Sequence, residues 1–134
     1  MKHQAKATFK ITSWNETPIH EGDGLPKLTR ASVTQSIEGD IAGLGTVEFL
    51  MSYRADGSAT YVGVQRVVGT LAGRPGSFVL VGEGSYSHVK GEAIMNWRVA
   101  TGSGTGDLNG LEGEGSAFAT HTPPGALSLS YELP

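Results

Sequence analysis

ATYVGVQRVVGTLAGRPGSFVLVGEG, residues Ala59 to Gly84, reads as two long β-strands joined by a tight turn. Ala59 to Leu71 alternates and is rich in β-branched residues. Ala72 to Gly76 supplies Gly-Arg-Pro-Gly turn chemistry, and Ser77 to Glu83 resumes with Phe78, Val79, Leu80 and Val81. Both faces of the first strand are apolar. Tyr61, Val67 and Leu71 share one face with Gln65, and Val62, Val64 and Val68 share the other with Arg66. A strand with one face in water shows a polar residue at every second position. The pattern therefore predicts a closed or nearly closed sheet whose middle ribbon is covered on both sides, with a terminus, a loop or another subunit as the outer cover.

Upstream of this hairpin, Ala5 to Ser13 alternates with Ala5, Ala7, Phe9 and Ile11 on one face, which predicts a first strand with one wet face. Trp14 to Lys27 carries two prolines and two glycines and reads as a loop. Its Asn15-Glu16-Thr17 sequon is taken as a chance match. Leu28 to Glu38 is the second strand, Gly39-Asp40 a turn, and Ile41 to Tyr53 the third strand. There Val47, Phe49, Met51 and Tyr53 share one face and Thr46, Glu48, Leu50 and Ser52 the other. Asp56-Gly57 is a two-residue hairpin signal leading into Ala59.

Downstream, Gly82 to Glu92 reads as a turn region, Ala93 to Ala100 as the sixth strand, Leu111 to Thr120 as the seventh and Leu127 to Leu133 as the last. The total is eight strands with short connections after the first. Eight is the count at which an antiparallel sheet closes around a lumen wide enough for side chains or one small ligand. An all-β, single-domain, up-and-down barrel over residues 1–134 is expected, with a two-sheet sandwich as the competing arrangement.

The chain of 134 residues has 20 glycines, no cysteine and a net charge of −3. Its ten lysines and arginines are scattered, which disfavours nucleic acid and anionic membrane as partners. Without cysteine there is neither a disulfide framework nor a thiolate site. The first residues lack the apolar run of a secretory signal, so a cytoplasmic protein is expected.

Several segments also resemble the DUF3224 family: Gly39-Asp40 through Val47-Glu48, Gly57 through Gly63, Val68 to Leu71 with Gly73-Arg74, Gly76 to Leu80, and Gly102 to Leu108. Trp14 and Tyr131 extend the likeness to nearly the whole chain. The resemblance implies an eight-stranded barrel similar to allene oxide cyclase and, more loosely, to the lipocalins, without an assigned activity. Where that pattern is expected to carry a glutamate in the central strand, this chain has Gln65. An amide cannot act as a general base.

Glu48 is the candidate catalytic carboxylate. Facing the lumen, it would be desolvated and made basic; with the Val47, Phe49, Met51 and Tyr53 face inward it lies outside, paired with Arg66 or Arg98. Tyr53, Tyr61, Gln65, Trp97 and Tyr131 are the candidate ligand contacts, each combining bulk with a polar tip. Gly102 to Gly106 reads as glycine-rich turns rather than a phosphate loop, because no helical period follows it. His3, His20, His88 and His121 lack metal-ligand spacing and read as solvated, and no cofactor is expected. Three functions remain open at this stage. The first is a barrel holding a small apolar molecule, the second a cofactor-independent cyclase or isomerase, and the third a homo-oligomeric interaction module with a filled lumen.

Overall fold

In the computed structural model, which describes residues 2–134, the chain forms strands and turns only. Nine strands run in order: β1 His3–Pro18, β2 Leu28–Gly39, β3 Ile41–Tyr53, β4 Ala59–Leu71, β5 Arg74–Ser87, β6 Glu92–Val99, β7 Thr105–Gly106, β8 Glu112–Thr120 and β9 Gly125–Glu132. Each long strand pairs antiparallel with its neighbour from β1 to β6, then β6 with β8, β8 with β9, and β9 with β1. Eight strands thus close into an up-and-down barrel. The two-residue β7 is an addition that pairs with Gly76 and Ser77 of β5.

Three segments depart from the sequence expectation. β1 continues through Trp14–Pro18, read above as loop, because a bulge between Ile11 and Ser13 breaks the alternation. Up to Ile11 the strand pairs Ile11 with Gln35, beyond it Ser13 with Thr34, and Thr12 is the extra residue. The hydroxyl of Thr34 meets those of Thr12 (2.8 Å) and Ser13 (2.6 Å), anchoring the bulge. Pro18 ends the strand, where its missing N–H costs no ladder bond. Likewise β5 runs to Ser87 through Gly82 and Gly84. A Cβ at Gly82 would lie 1.9 Å from the Asn96 carbonyl oxygen, so glycine here permits close backbone approach rather than a turn.

The third departure concerns the outer cover. Tyr61, Gln65, Val67 and Leu71 are buried in the lumen, whereas Val62, Val64 and Val68 are 48%, 51% and 53% exposed. Among the described residues no terminus or loop covers them, so of the three covers expected only another subunit is left. The one long loop, residues 19–27, joins strands at one end of the barrel, and residues 100–111 cross the other.

That second end is closed. Ile37, Ile41, Leu71, Phe78, Leu80, Leu127 and Leu129 fill it, and Leu108 and Leu111 of the crossing segment are buried on top of them. The glycine-rich run is therefore a plug. Ser103 Oγ accepts the Val79 N–H (3.0 Å), Thr105 Oγ1 accepts the Ser77 N–H (3.1 Å), and successive turns carry the chain to Leu111.

Candidate functional site

At the other end, residues pointing inward leave space. A cavity of about 480 Å³ is walled by Phe9, Ile11 and Trp14 of β1, Gln35 of β2, Val47, Phe49, Met51 and Tyr53 of β3, Tyr61 of β4, Tyr86 of β5, Met95 and Trp97 of β6 and Ala117 of β8. No Asp, Glu, Lys or Arg lines it among the described residues. Its opening follows from the strand register. The β1–β9 ladder stops at Phe9 and Gly125, while β1 runs on to Pro18 bonded to β2 alone and β8 ends at Thr120 bonded to β6. The wall parts above Phe9, and Ile11 and Trp14 stand half exposed at the gap.

Phe49 is the centre of the aromatic lining. Its ring meets Tyr61 edge-on at 5.3 Å, with Trp14 at 6.1 Å and Trp97 at 6.4 Å. Gly63 on the next strand makes this possible, since a Cβ there would lie 2.7 Å from the Phe49 ring. The Tyr61 hydroxyl donates to backbone oxygens, Ile94 at 2.9 Å and Ser85 at 3.2 Å. Burial pushes this phenol up to about 12.

The β1 bulge turns Trp14 and Glu16 toward the lumen side. Glu16 then accepts hydrogen bonds from Tyr53 Oη, from Thr29 Oγ1 (2.7 Å) and from Trp14 Nε1 (3.0 Å). Burial pushes the Glu16 carboxyl up. The three donors and the nearby Lys27 charge together outweigh it, so its net shift is downward. Burial and the Glu16 carboxylate push Tyr53 up to about 12. Glu16 therefore holds Trp14 and Tyr53, two wall residues, from behind. At the lip, Tyr86 Oη and His121 Nε2 are 2.9 Å apart.

Deeper in the barrel lie two amides. Gln35 Nε2 donates to Gln65 Oε1 at 2.7 Å, with Gln35 7% and Gln65 1% exposed. Gly45 leaves room for them: a Cβ there would be 2.3 Å from Gln65 Oε1 and 3.0 Å from Gln35 Cγ.

Of the residues singled out from sequence, Tyr53, Tyr61 and Trp97 line the cavity. Gln65 does not; it backs Gln35, which does. Tyr131 is buried toward the closed end, beside His3 at 5.4 Å, and is no part of the wall. Glu48 lies on the outer face, where the Arg30 guanidinium at 2.8 Å and the Ser32 hydroxyl hold its carboxyl below the usual range. The partner is Arg30, which stands diagonal to Glu48 across the β2–β3 pair, not Arg66 or Arg98. A lumenal general base at Glu48 is thereby corrected. Sequence reading missed Trp14, Glu16, Gln35, Tyr86 and His121. The first two followed a bulge, the last two fell in stretches read as turns, and nothing local marks Gln35 as facing Gln65.

The sequence model of a family described as "Protein of unknown function (DUF3224)" matches residues 5–131. Among solved structures, a protein with unknown function from the DUF3224 family of Shewanella oneidensis MR-1 is 27% identical, with 100% of this chain and 99% of that chain covered and a TM-score of 0.78. No curated protein matches the chain.

Proposed function

The chain belongs to the DUF3224 family, whose description carries no activity, and from the cup itself we propose that it is a small-molecule-binding barrel holding an apolar ligand in the open half of its lumen. One observation carries this reading: a cavity of about 480 Å³, walled by aromatic and aliphatic side chains and open through a parted seam. Ligand sites occupy roughly 300–1,000 Å³ and are lined in this way. Binding without chemistry is preferred to the cyclase or isomerase alternative because the wall offers no carboxylate, and the Tyr53 and Tyr61 phenols are pushed up to about 12. The barrel is read as working in water. The outer faces of β1 and β2 carry Lys6, Thr8, Lys10, Arg30, Ser32 and Thr34, which interrupt any apolar band of the kind that circles a membrane barrel.

The test is titration with N-phenyl-1-naphthylamine, a neutral fluorophore that brightens in apolar surroundings. Saturable enhancement with a Kd on the order of 1–10 μM is expected, abolished by Ala117→Trp, which fills the cup. Absence of enhancement, or enhancement unchanged in Ala117→Trp, sinks the reading.

A second reading rests on the outer face of β3, β4 and β5. Leu44 lies opposite Val68, Leu50 opposite Val62, and Val64 opposite Val81, so the half-exposed aliphatic side chains form one patch. Patches of roughly this kind mark interfaces. We propose that its occupant is a second copy of the chain. Arg66 stands within the patch and Glu83 at its margin, neither with an ion-pair partner among the described residues. A two-fold axis lying across the strands at Val64 sets Arg66 of each copy over the Val62–Glu83 row of the other. Sedimentation equilibrium is expected to give twice the 14.0 kDa chain mass, Arg66→Glu a monomer, and Arg66→Glu with Glu83→Arg a dimer again. A monomer at about 100 μM wild-type protein overturns it.

A further inference from the structure

The amide pair at the base of the cup restricts what the cup can hold. Two glutamines carry four N–H bonds and two carbonyl oxygens. Here one contact joins them, from Gln35 Nε2 to Gln65 Oε1, and Gln35 Oε1 and Gln65 Nε2 have no side-chain or backbone partner among the described residues. Among the described residues no fully occluded side-chain nitrogen or oxygen lacks a partner, so the remaining amide atoms keep open surface. Gln35 is 7% exposed and lines the cavity, which makes the open surface of Gln35 Oε1 lumenal.

Burying two amides in a wall of rings is unfavourable unless their remaining groups are matched. Gly45 is kept small where their side chains pass. Resting on the cup reading above, we infer that the ligand is a neutral, largely apolar molecule that presents one hydroxyl or amide group to Gln35, which Gln65 holds in place, donating to Gln35 Oε1 and accepting from the second Gln35 N–H. A carboxylate or phosphate is disfavoured at this depth. Among the described residues no lysine or arginine lines the cavity, and its one histidine, His121, stands at the lip, so nothing at this depth replaces the water an anion loses on entry. A pure hydrocarbon is accepted but leaves the amides unmatched.

The experiment displaces N-phenyl-1-naphthylamine from the wild-type protein at neutral pH with naphthalene, 2-naphthol and 2-naphthoate, three probes sharing one ring system. 2-Naphthol is expected to compete about tenfold better than naphthalene, the worth of one net hydrogen bond. 2-Naphthoate is expected to be the weakest of the three. In Gln35→Leu, and in Gln35→Leu with Gln65→Leu, which removes both amides together, naphthol and naphthalene become equal. Three competitors of equal strength, or a naphthol preference that survives both variants, overturn the amide assignment and leave the cup standing. Absence of fluorophore binding removes the cup and this inference with it. If a leucine variant folds poorly, Gln35→Met, which keeps the length of the side chain and removes its amide, takes its place with the same two outcomes.

Discussion

The closed half and the open half of this barrel are built from the same strands and filled by different means. In the closed half, Ile41, Leu71, Phe78 and Leu80 interdigitate at full burial, and the glycine-rich crossing adds Leu108 and Leu111 as a plug. In the open half the inward positions are rings held to the wall: Phe49 lies over Gly63, Trp14 and Tyr53 are tied back to Glu16, and Tyr61 is bonded to the β5 and β6 backbone. Side chains fixed to the wall cannot collapse across the axis. The comparison teaches that a lumen is kept open by what anchors its lining as much as by the strand count.

The largest test of this contrast removes a ring from each half. Phe78→Ala is expected to cost about 3–5 kcal/mol in urea unfolding, because the site is sealed and leaves a void. Phe49→Ala borders space that already exists and is only partly buried, so about 1–2 kcal/mol is expected, with loss of fluorophore binding. Equal costs would break the distinction.

Adding atoms should separate the halves in the opposite sense. Ala7→Leu overpacks a buried position in the closed half and is expected to destabilise by about 1–3 kcal/mol. Ala117→Leu places the same atoms into the cup, changes stability by less than about 0.5 kcal/mol, and weakens fluorophore binding by roughly tenfold or more. The measurements are urea midpoints and the titration already described.

The smallest effect is on pH dependence, and it belongs to the open half. Burial pushes the Tyr53 and Tyr61 phenols up from 10.0 to about 12, so the folded state holds protons that the unfolded chain releases first. Their stabilisation is intact below pH 10 and is lost as pH rises from 10 through 12. Glu16 works the other way. Its lowered carboxyl stabilises above the ordinary value of 4.5, and that contribution is lost as pH falls below it. Tyr61→Phe should shift the alkaline midpoint followed by circular dichroism upward. An unchanged midpoint would place alkaline sensitivity elsewhere.

Most of the architecture was legible in the sequence. Period-two alternation located β2, β3, β4 and β9 within a few residues, and the Val47, Phe49, Met51 and Tyr53 row was read as one face. Glycine was the recurrent source of error. Gly82 and Gly84 carry a turn signal locally, yet stand where the β6 backbone approaches too closely for a Cβ. Trp14 and Glu16 escaped because a bulge exchanges inside for outside without altering composition. Tyr131 was misassigned because a buried tyrosine near a barrel end has the same pattern whether that end is open or plugged.

By itself, the sequence determined that the chain is all strand, how many strands close the barrel, and that the middle ribbon is apolar on both faces, because alternation and turn residues are local properties. Only the tertiary structure decided which end stays open, that Gln35 finds Gln65, that Glu48 pairs with Arg30 outside the lumen, and that no loop of the described residues covers the valines of β4. Those outcomes depend on register between strands distant in sequence, and one bulged residue or one plugging segment changes them without leaving a local mark.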